Sequence, residues 1–88
     1  MMKSEDLLAL YDRYVMPTYT RSLVFTRGRG ARLWDAEGRE YLDALSGIAV
    51  TGVGHCHPKV ARAIAAQART LVHVSNLYYT EPQARLAE

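Results

Sequence analysis

The sequence is short of the features that sort a chain quickly. It has one cysteine, so no internal disulfide can form, and a lone thiol fits a reducing compartment. It lacks an excess of one charge. A formal net charge of +2 is too small to argue for nucleic acid or an anionic membrane as a partner. Long apolar runs are missing too. No window approaches the roughly 20 apolar residues of a membrane span. Met1-Met2-Lys3-Ser4-Glu5-Asp6 puts acidic residues where a signal peptide needs an apolar core. These absences predict a cytoplasmic chain with no membrane and no nucleic-acid partner.

What is present is a globular composition, 49% hydrophobic and 23% charged over 88 residues. That length suits one small domain, which buries about 60–65% of its unfolded surface. The chain is organised around the stretch 46–58, an apolar run that becomes a glycine-punctuated loop. Gly47, Gly52 and Gly54 permit backbone angles closed to other residues, or a close approach by a backbone or ligand. The loop carries His55, Cys56 and His57, and Pro58 opens a helical pattern.

The other elements follow from spacing. Ser4 reads as the cap of a first helix, with Glu5 and Asp6 in its first turn. Leu7, Leu8, Tyr11, Tyr14 and Val15 form one apolar stripe, and Pro17 ends it. Tyr11, Tyr14 and Tyr19 could stack on a ring, but a packed stripe is the stronger reading. Three strands are expected at Leu23-Val24-Phe25-Thr26, Ala31-Arg32-Leu33-Trp34-Asp35 and Glu40-Tyr41-Leu42-Asp43. Turns at Arg27-Gly28-Arg29-Gly30 and Ala36-Glu37-Gly38-Arg39 make them an antiparallel meander, with Gly38 at positive φ. From Pro58, the residues Val60, Ala61, Ile64, Ala65, Ala68, Leu71 and Val72 give the strongest helix, over about 58–71. Its small alanines suggest close packing on another element. An extended connection over 73–79 leads to Thr80, which has the form of a capping box with Gln83. The helix it opens runs about two turns, too short to stand alone. The expectation is that these residues are the front of a longer protein. The fold class expected is an α+β segment of N-terminal helix, short antiparallel meander, glycine-rich loop and long helix.

Candidate chemistry is thin. His55, Cys56 and His57 carry zinc-type donors, and a small stand-alone metal-binding module is one reading. A closed site wants about four ligands, and no second Cys or His pair is spaced for it. Cys56 with a histidine base is a nucleophile in type but lacks an orienting third group. The simpler reading has one histidine satisfying backbone groups at the helix start. The 52–54 loop before a helix resembles a phosphate cradle without the full glycine spacing. Arg27, Arg29 and Arg32 among glycines suggest a single-strand binder, but one unit flanked by strands reads as a solvated turn. Asp35, Glu37, Glu40 and Asp43 lie in and around turns and read as solvated. Lysine occurs only at Lys3 and Lys59, and neither reads as a desolvated Schiff-base lysine.

An ordered set of short runs is more specific than any of these. Gly28-Arg29-Gly30, Leu33-Trp34-Asp35, Glu37-Gly38, Tyr41-Leu42-Asp43, Ser46-Gly47-Ile48-Ala49-Val50, Gly54-His55-Cys56-His57-Pro58, Gln67, Leu71, His73-Val74-Ser75-Asn76 and Glu81-Pro82 together resemble the N-terminal region of class III aminotransferases. The resemblance covers about residues 17–88. Within that class the Ser-Gly-Ile-Ala-Val, Gly-His-Cys-His-Pro and His-Val-Ser-Asn-Leu-Tyr runs are most similar to the acetylornithine branch.

The resemblance implies a pyridoxal-phosphate enzyme of fold type I, α/β overall. It implies amino transfer between N-acetylornithine and 2-oxoglutarate in arginine biosynthesis. Relatives act on ornithine, succinyldiaminopimelate or 4-aminobutyrate. Residues 1–88 would form part of the small domain and the start of the connection to a large cofactor-binding domain that lies outside them. The catalytic lysine and the cofactor-binding residues have no match here, so no catalytic, cofactor or metal residue is assigned, and the 88 residues alone are expected to be inactive. Gly47 and Ile48 would approach the substrate side chain, and Tyr19 lies near a position that approaches the substrate carboxylate. The family is homodimeric, and the long helix and the 73–79 connection would help build the interface.

Overall fold

The computed structural model describes residues 2–88. They fall into two units, one running to His57 and one starting at Pro58. In the first, helix α1 (Ser4–Tyr14) precedes strands β1 (Phe25–Arg29), β2 (Arg32–Asp35) and β3 (Glu40–Leu42), then a short turn α2 (Ser46–Ala49). The second holds α3 (Pro58–Thr70) and α4 (Glu81–Ala87).

The strands form one antiparallel sheet in the order β1-β2-β3, so the expected meander is present. Its first strand sits later than the sequence suggests. Arg27, Gly28 and Arg29 are strand residues paired with Trp34, Leu33 and Arg32, and the reversal is made by Gly30, at φ +58, and Ala31. The register slips between Phe25 and Arg27, a bulge at Thr26 that shifts the side chains by one place.

Alternation then sorts the sheet into two faces. On one, Gly28, Leu33 and Tyr41 lie in register with one another, and Phe25 meets Tyr41 edge to face with ring centroids 5.4 Å apart. On the other, the Arg27 guanidinium lies 3.9 Å from the Trp34 ring centroid, and Arg32 pairs with Glu40 at 2.9 Å.

The first helix does not use the cap expected of it. Lys3 is the N-cap, without a side-chain cap bond, and the Ser4 hydroxyl donates to Glu37 Oε1 at 2.7 Å. Negative charge at Glu5 and Asp6 still suits the helix start. A groove of about 560 Å³ runs between α1 and residues 17–25, lined by Leu7, Tyr11, Val15, Tyr19, Leu23 and Phe25 among others.

Among the described residues, no hydrophobic side chain is buried, and the buried residue is a carboxylate, Asp35. In the second unit α3 carries the expected stripe, but Val60, Ile64 and Leu71 are all exposed. Gln67 Nε2 donates to the Leu71 carbonyl at 2.8 Å and ties off its end. Thr80 is the N-cap of α4, as its position suggests, though its side chain makes no cap bond.

Candidate functional site

Two carboxylates organise the first unit, and both depart from the solvated reading. Asp35 ends β2 and is only 3% exposed. Its Oδ1 accepts from the backbone N–H of Glu37 at 3.0 Å and of Arg39 at 2.8 Å. Its Oδ2 accepts from Arg39 Nε at 2.7 Å and the Tyr41 hydroxyl at 3.0 Å. Burial alone would raise this carboxyl. The bonds from the Arg39 backbone, the Arg39 guanidinium and the Tyr41 hydroxyl outweigh it and hold the group below the usual carboxylate range. The same hydroxyl bond to Asp35, helped by burial, pushes the Tyr41 phenol up. Gly38, at φ +85, closes this turn as its position predicts.

Asp43 follows β3, and its side chain is 8% exposed. Oδ1 accepts from the backbone N–H of Leu45 and of Ser46, each at 2.9 Å. Oδ2 meets His55 Nε2 at 2.5 Å. The Ser46 N–H, the His55 side chain and the Leu45 N–H hold Asp43 below its ordinary value. With that carboxylate ionised, His55 Nε2 must carry the proton of the pair. His55 therefore turns to Asp43 rather than to the helix start. Its backbone exchanges two hydrogen bonds with Gly30, at 3.0 and 2.9 Å. A Cβ on Gly28 would lie 2.8 Å from the imidazole Cγ, so the ring covers that strand position, which only glycine leaves open.

Next to this clamp is the strained part of the fold. Ser46, Gly47, Ile48 and Ala49 have φ of +52, +62, +62 and +63. This is one left-handed turn, closed by bonds from Ile48 and Ala49 N–H to the Leu45 carbonyl and from Val50 and Thr51 N–H to Ser46. Glycine accepts such angles. The other three residues lose about 1–2 kcal/mol each, and a β-branched residue such as Ile48 is a marked outlier there. Strain of this kind persists only where the surroundings fix it, and it clusters at ligand sites. Ile48 is 80% exposed at the tip. Thr51 Oγ1, just beyond, is buried without a hydrogen-bond partner among the described residues.

The sequence candidates therefore divide. Gly47 and Ile48 share the left-handed turn. Tyr19 lines the groove against α1, where the Arg21 guanidinium lies 5.7 Å from its ring centroid and 5.3 Å from that of Tyr11, and neither Gly47 nor Ile48 lines that groove. Of the zinc-type donors, His55 has its Nε2 against Asp43. Among the described residues no group of three or more His, Cys, Asp or Glu side chains converges. What the sequence did not show is the pairing of Asp43 with His55. The available signal was a carboxylate three residues before Ser46, in the spacing of an Asx-type cap.

The sequence pattern described as aminotransferase class-III matches residues 14–88. The chain belongs to the class III aminotransferase family. It is 49% identical to the acetylornithine aminotransferase of Methanothermobacter thermautotrophicus over 88 residues, covering 99% of this chain and 23% of that protein. Its fold matches the crystal structure of acetylornithine aminotransferase from Elizabethkingia anophelis with a TM-score of 0.90 at 31% identity, over 97% of this chain and 21% of that one. It also matches taurine:2-oxoglutarate aminotransferase from Bifidobacterium kashiwanohense, solved with PLP and glutamate. There the TM-score is 0.87 and the identity 27%, over 99% of this chain and 20% of that one. The chain thus spans about a quarter or less of the length of the relatives it matches.

Neither lysine is desolvated among the described residues. Lys3 and Lys59 are both exposed, whereas a reactive lysine is activated by desolvation or a neighbouring cation. In the loop read as a phosphate cradle, Gly52 has nothing within 4 Å of an added Cβ, while Gly54 is crowded. A Cβ on Gly54 would lie 3.0 Å from Gly30 Cα, so its close approach is to backbone.

Proposed function

We propose that this chain is the N-terminal segment of an aminotransferase that moves an amino group between N-acetylornithine and 2-oxoglutarate, a step of arginine biosynthesis, as a cytoplasmic homodimer. The observation that carries the reading is the 49% identity over the whole chain to an acetylornithine aminotransferase. Pyridoxal phosphate, held mainly by residues outside this chain, supplies the electron sink for the amine exchange. Residues 1–88 belong to the small domain and the start of the connection to the large one. In the dimer, α3 and the 73–79 connection form part of the subunit interface, and the exposed apolar stripe of α3 supports that assignment.

The role of this segment is to wall the substrate side of the site. Gly47 and Ile48 face the side chain of the amino donor, and Tyr19 lies toward its carboxylate. Support comes from the exposed left-handed turn, a strained backbone of the kind that surrounding contacts keep at ligand sites. The test uses the complete enzyme carrying this segment, assayed with 2-oxoglutarate and a panel of donors. N-acetylornithine is expected to give the highest kcat/KM, by about tenfold or more over ornithine, succinyldiaminopimelate and 4-aminobutyrate. A higher kcat/KM for any of those three overturns the assignment of donor.

A further inference from the structure

A left-handed turn of L-residues does not hold itself in place, because three of its four residues disfavour the conformation. Its own hydrogen bonds to Leu45 and Ser46 close the turn but do not orient it. The side chain that reaches in is Asp43, through the N–H groups of Leu45 and Ser46. The other oxygen of the same carboxylate is held by His55. His55 is fixed in turn by two backbone bonds to Gly30 and by the open face of Gly28 beneath its ring. One carboxylate thus connects a strained, exposed turn to the sheet.

We propose that Asp43 and His55 together are the positioning device for the Ser46–Ala49 turn, fixing where Gly47 and Ile48 meet the side chain of the amino donor. This rests on the reading of those two residues as the substrate-side wall. Neither Asp43 nor His55 touches the reacting atoms. They act through the turn, and the chemistry of the pair is specific. Leucine at 43 offers the turn no acceptor and His55 no partner, whereas asparagine would let the imidazole change tautomer and accept from its N–H₂. Glutamine at 55 can return one N–H donor to Asp43, whereas leucine cannot.

The test compares Asp43→Leu, His55→Leu and His55→Gln in the complete enzyme. Asp43→Leu and His55→Leu are expected to raise the donor KM about tenfold with little change in kcat, while kcat/KM for 2-oxoglutarate and cofactor content stay at the wild-type level. His55→Gln is expected to recover most of that loss. Amide exchange at residues 48–51 is expected to speed up about tenfold in the first two variants, with β2 and β3 unchanged.

An unchanged donor KM overturns the proposal, even if exchange quickens, because the turn would then move without consequence for the donor. A parallel fall in both half-reactions with loss of cofactor also overturns it, since the pair would then only support the fold. If the complete wild-type protein transfers no amino group at all, the functional reading fails by itself. The exchange measurement then decides alone. Loss of protection in His55→Leu with retention in His55→Gln supports the positioning role, and any other pattern refutes it.

Discussion

Asp35 and Asp43 flank the same short strand, and both are carboxylates withdrawn from water, yet they hold different things. Every donor to the Asp35 carboxylate comes from residues 37–41, within the turn it closes. Asp43 takes two donors from the next residues and its third from His55, across the glycine loop. The first carboxylate completes a turn whose backbone angles are ordinary apart from a glycine. The second holds a turn whose angles three of its residues resist. A buried acid with only local partners fixes a shape the sequence already favours. One with a distant partner can hold a shape the local sequence opposes, which is what a binding surface needs.

The sharpest way to break this contrast is Gly54→Ala. The residue has φ +89, and the new Cβ would lie 3.0 Å from Gly30 Cα, backbone that cannot swing aside. We expect roughly 2–4 kcal/mol of destabilisation from strain and overpacking together, read by denaturation of the complete enzyme, with the donor KM rising as His55 is pushed from Gly30.

Asp35→Asn is expected to do the reverse in kind. Its Tm falls, because asparagine cannot keep the Arg39 ion pair and four donors, while the donor KM stays at the wild-type value. The pH dependence follows from the direction of the shift. The folded carboxyl lies below its unfolded value of about 3.9, so its contribution is complete above that pH and is lost as pH falls through the folded value. The difference in Tm between wild type and Asp35→Asn should therefore shrink on acidification below about pH 4. A difference that stayed constant there would show that Asp35 is not the ionised hub described. Arg27→Ala should have the smallest effect. It removes an exposed cation–π contact to Trp34, worth under about 1 kcal/mol, and touches neither carboxylate, so donor KM and acid response should both be unchanged.

Much of the frame was legible in the sequence, because it rests on local preference. Alternation at Leu33 to Asp35, the glycine at 38 and the stripe from Val60 to Leu71 each announce their element. The strand shift was hidden because Gly28 reads as a turn residue, while in the fold it makes room for His55. The two carboxylates were misread for a related reason. A charged residue near a turn is solvated unless partners converge on it, and the partners of Asp43 lie on a separate loop. Ser46, Ile48 and Ala49 gave no sign of left-handed geometry, since their intrinsic preferences oppose it. The left-handed turn is therefore the part hardest to read from composition and spacing, and family resemblance reached Gly47 and Ile48 without revealing their backbone.

The short reach of the β1–β2 and β2–β3 reversals sets an order of assembly. Hairpins of this kind close in about 1–10 μs, and each here needs only its own neighbours, with Asp35 knotting the second. The Ser46–Ala49 turn must wait for His55 to dock on Gly30 before Asp43 has its full set of partners. A refolding chain would thus own its sheet before its strained turn, and the left-handed geometry at Ser46–Ala49 would be the last feature this unit acquires.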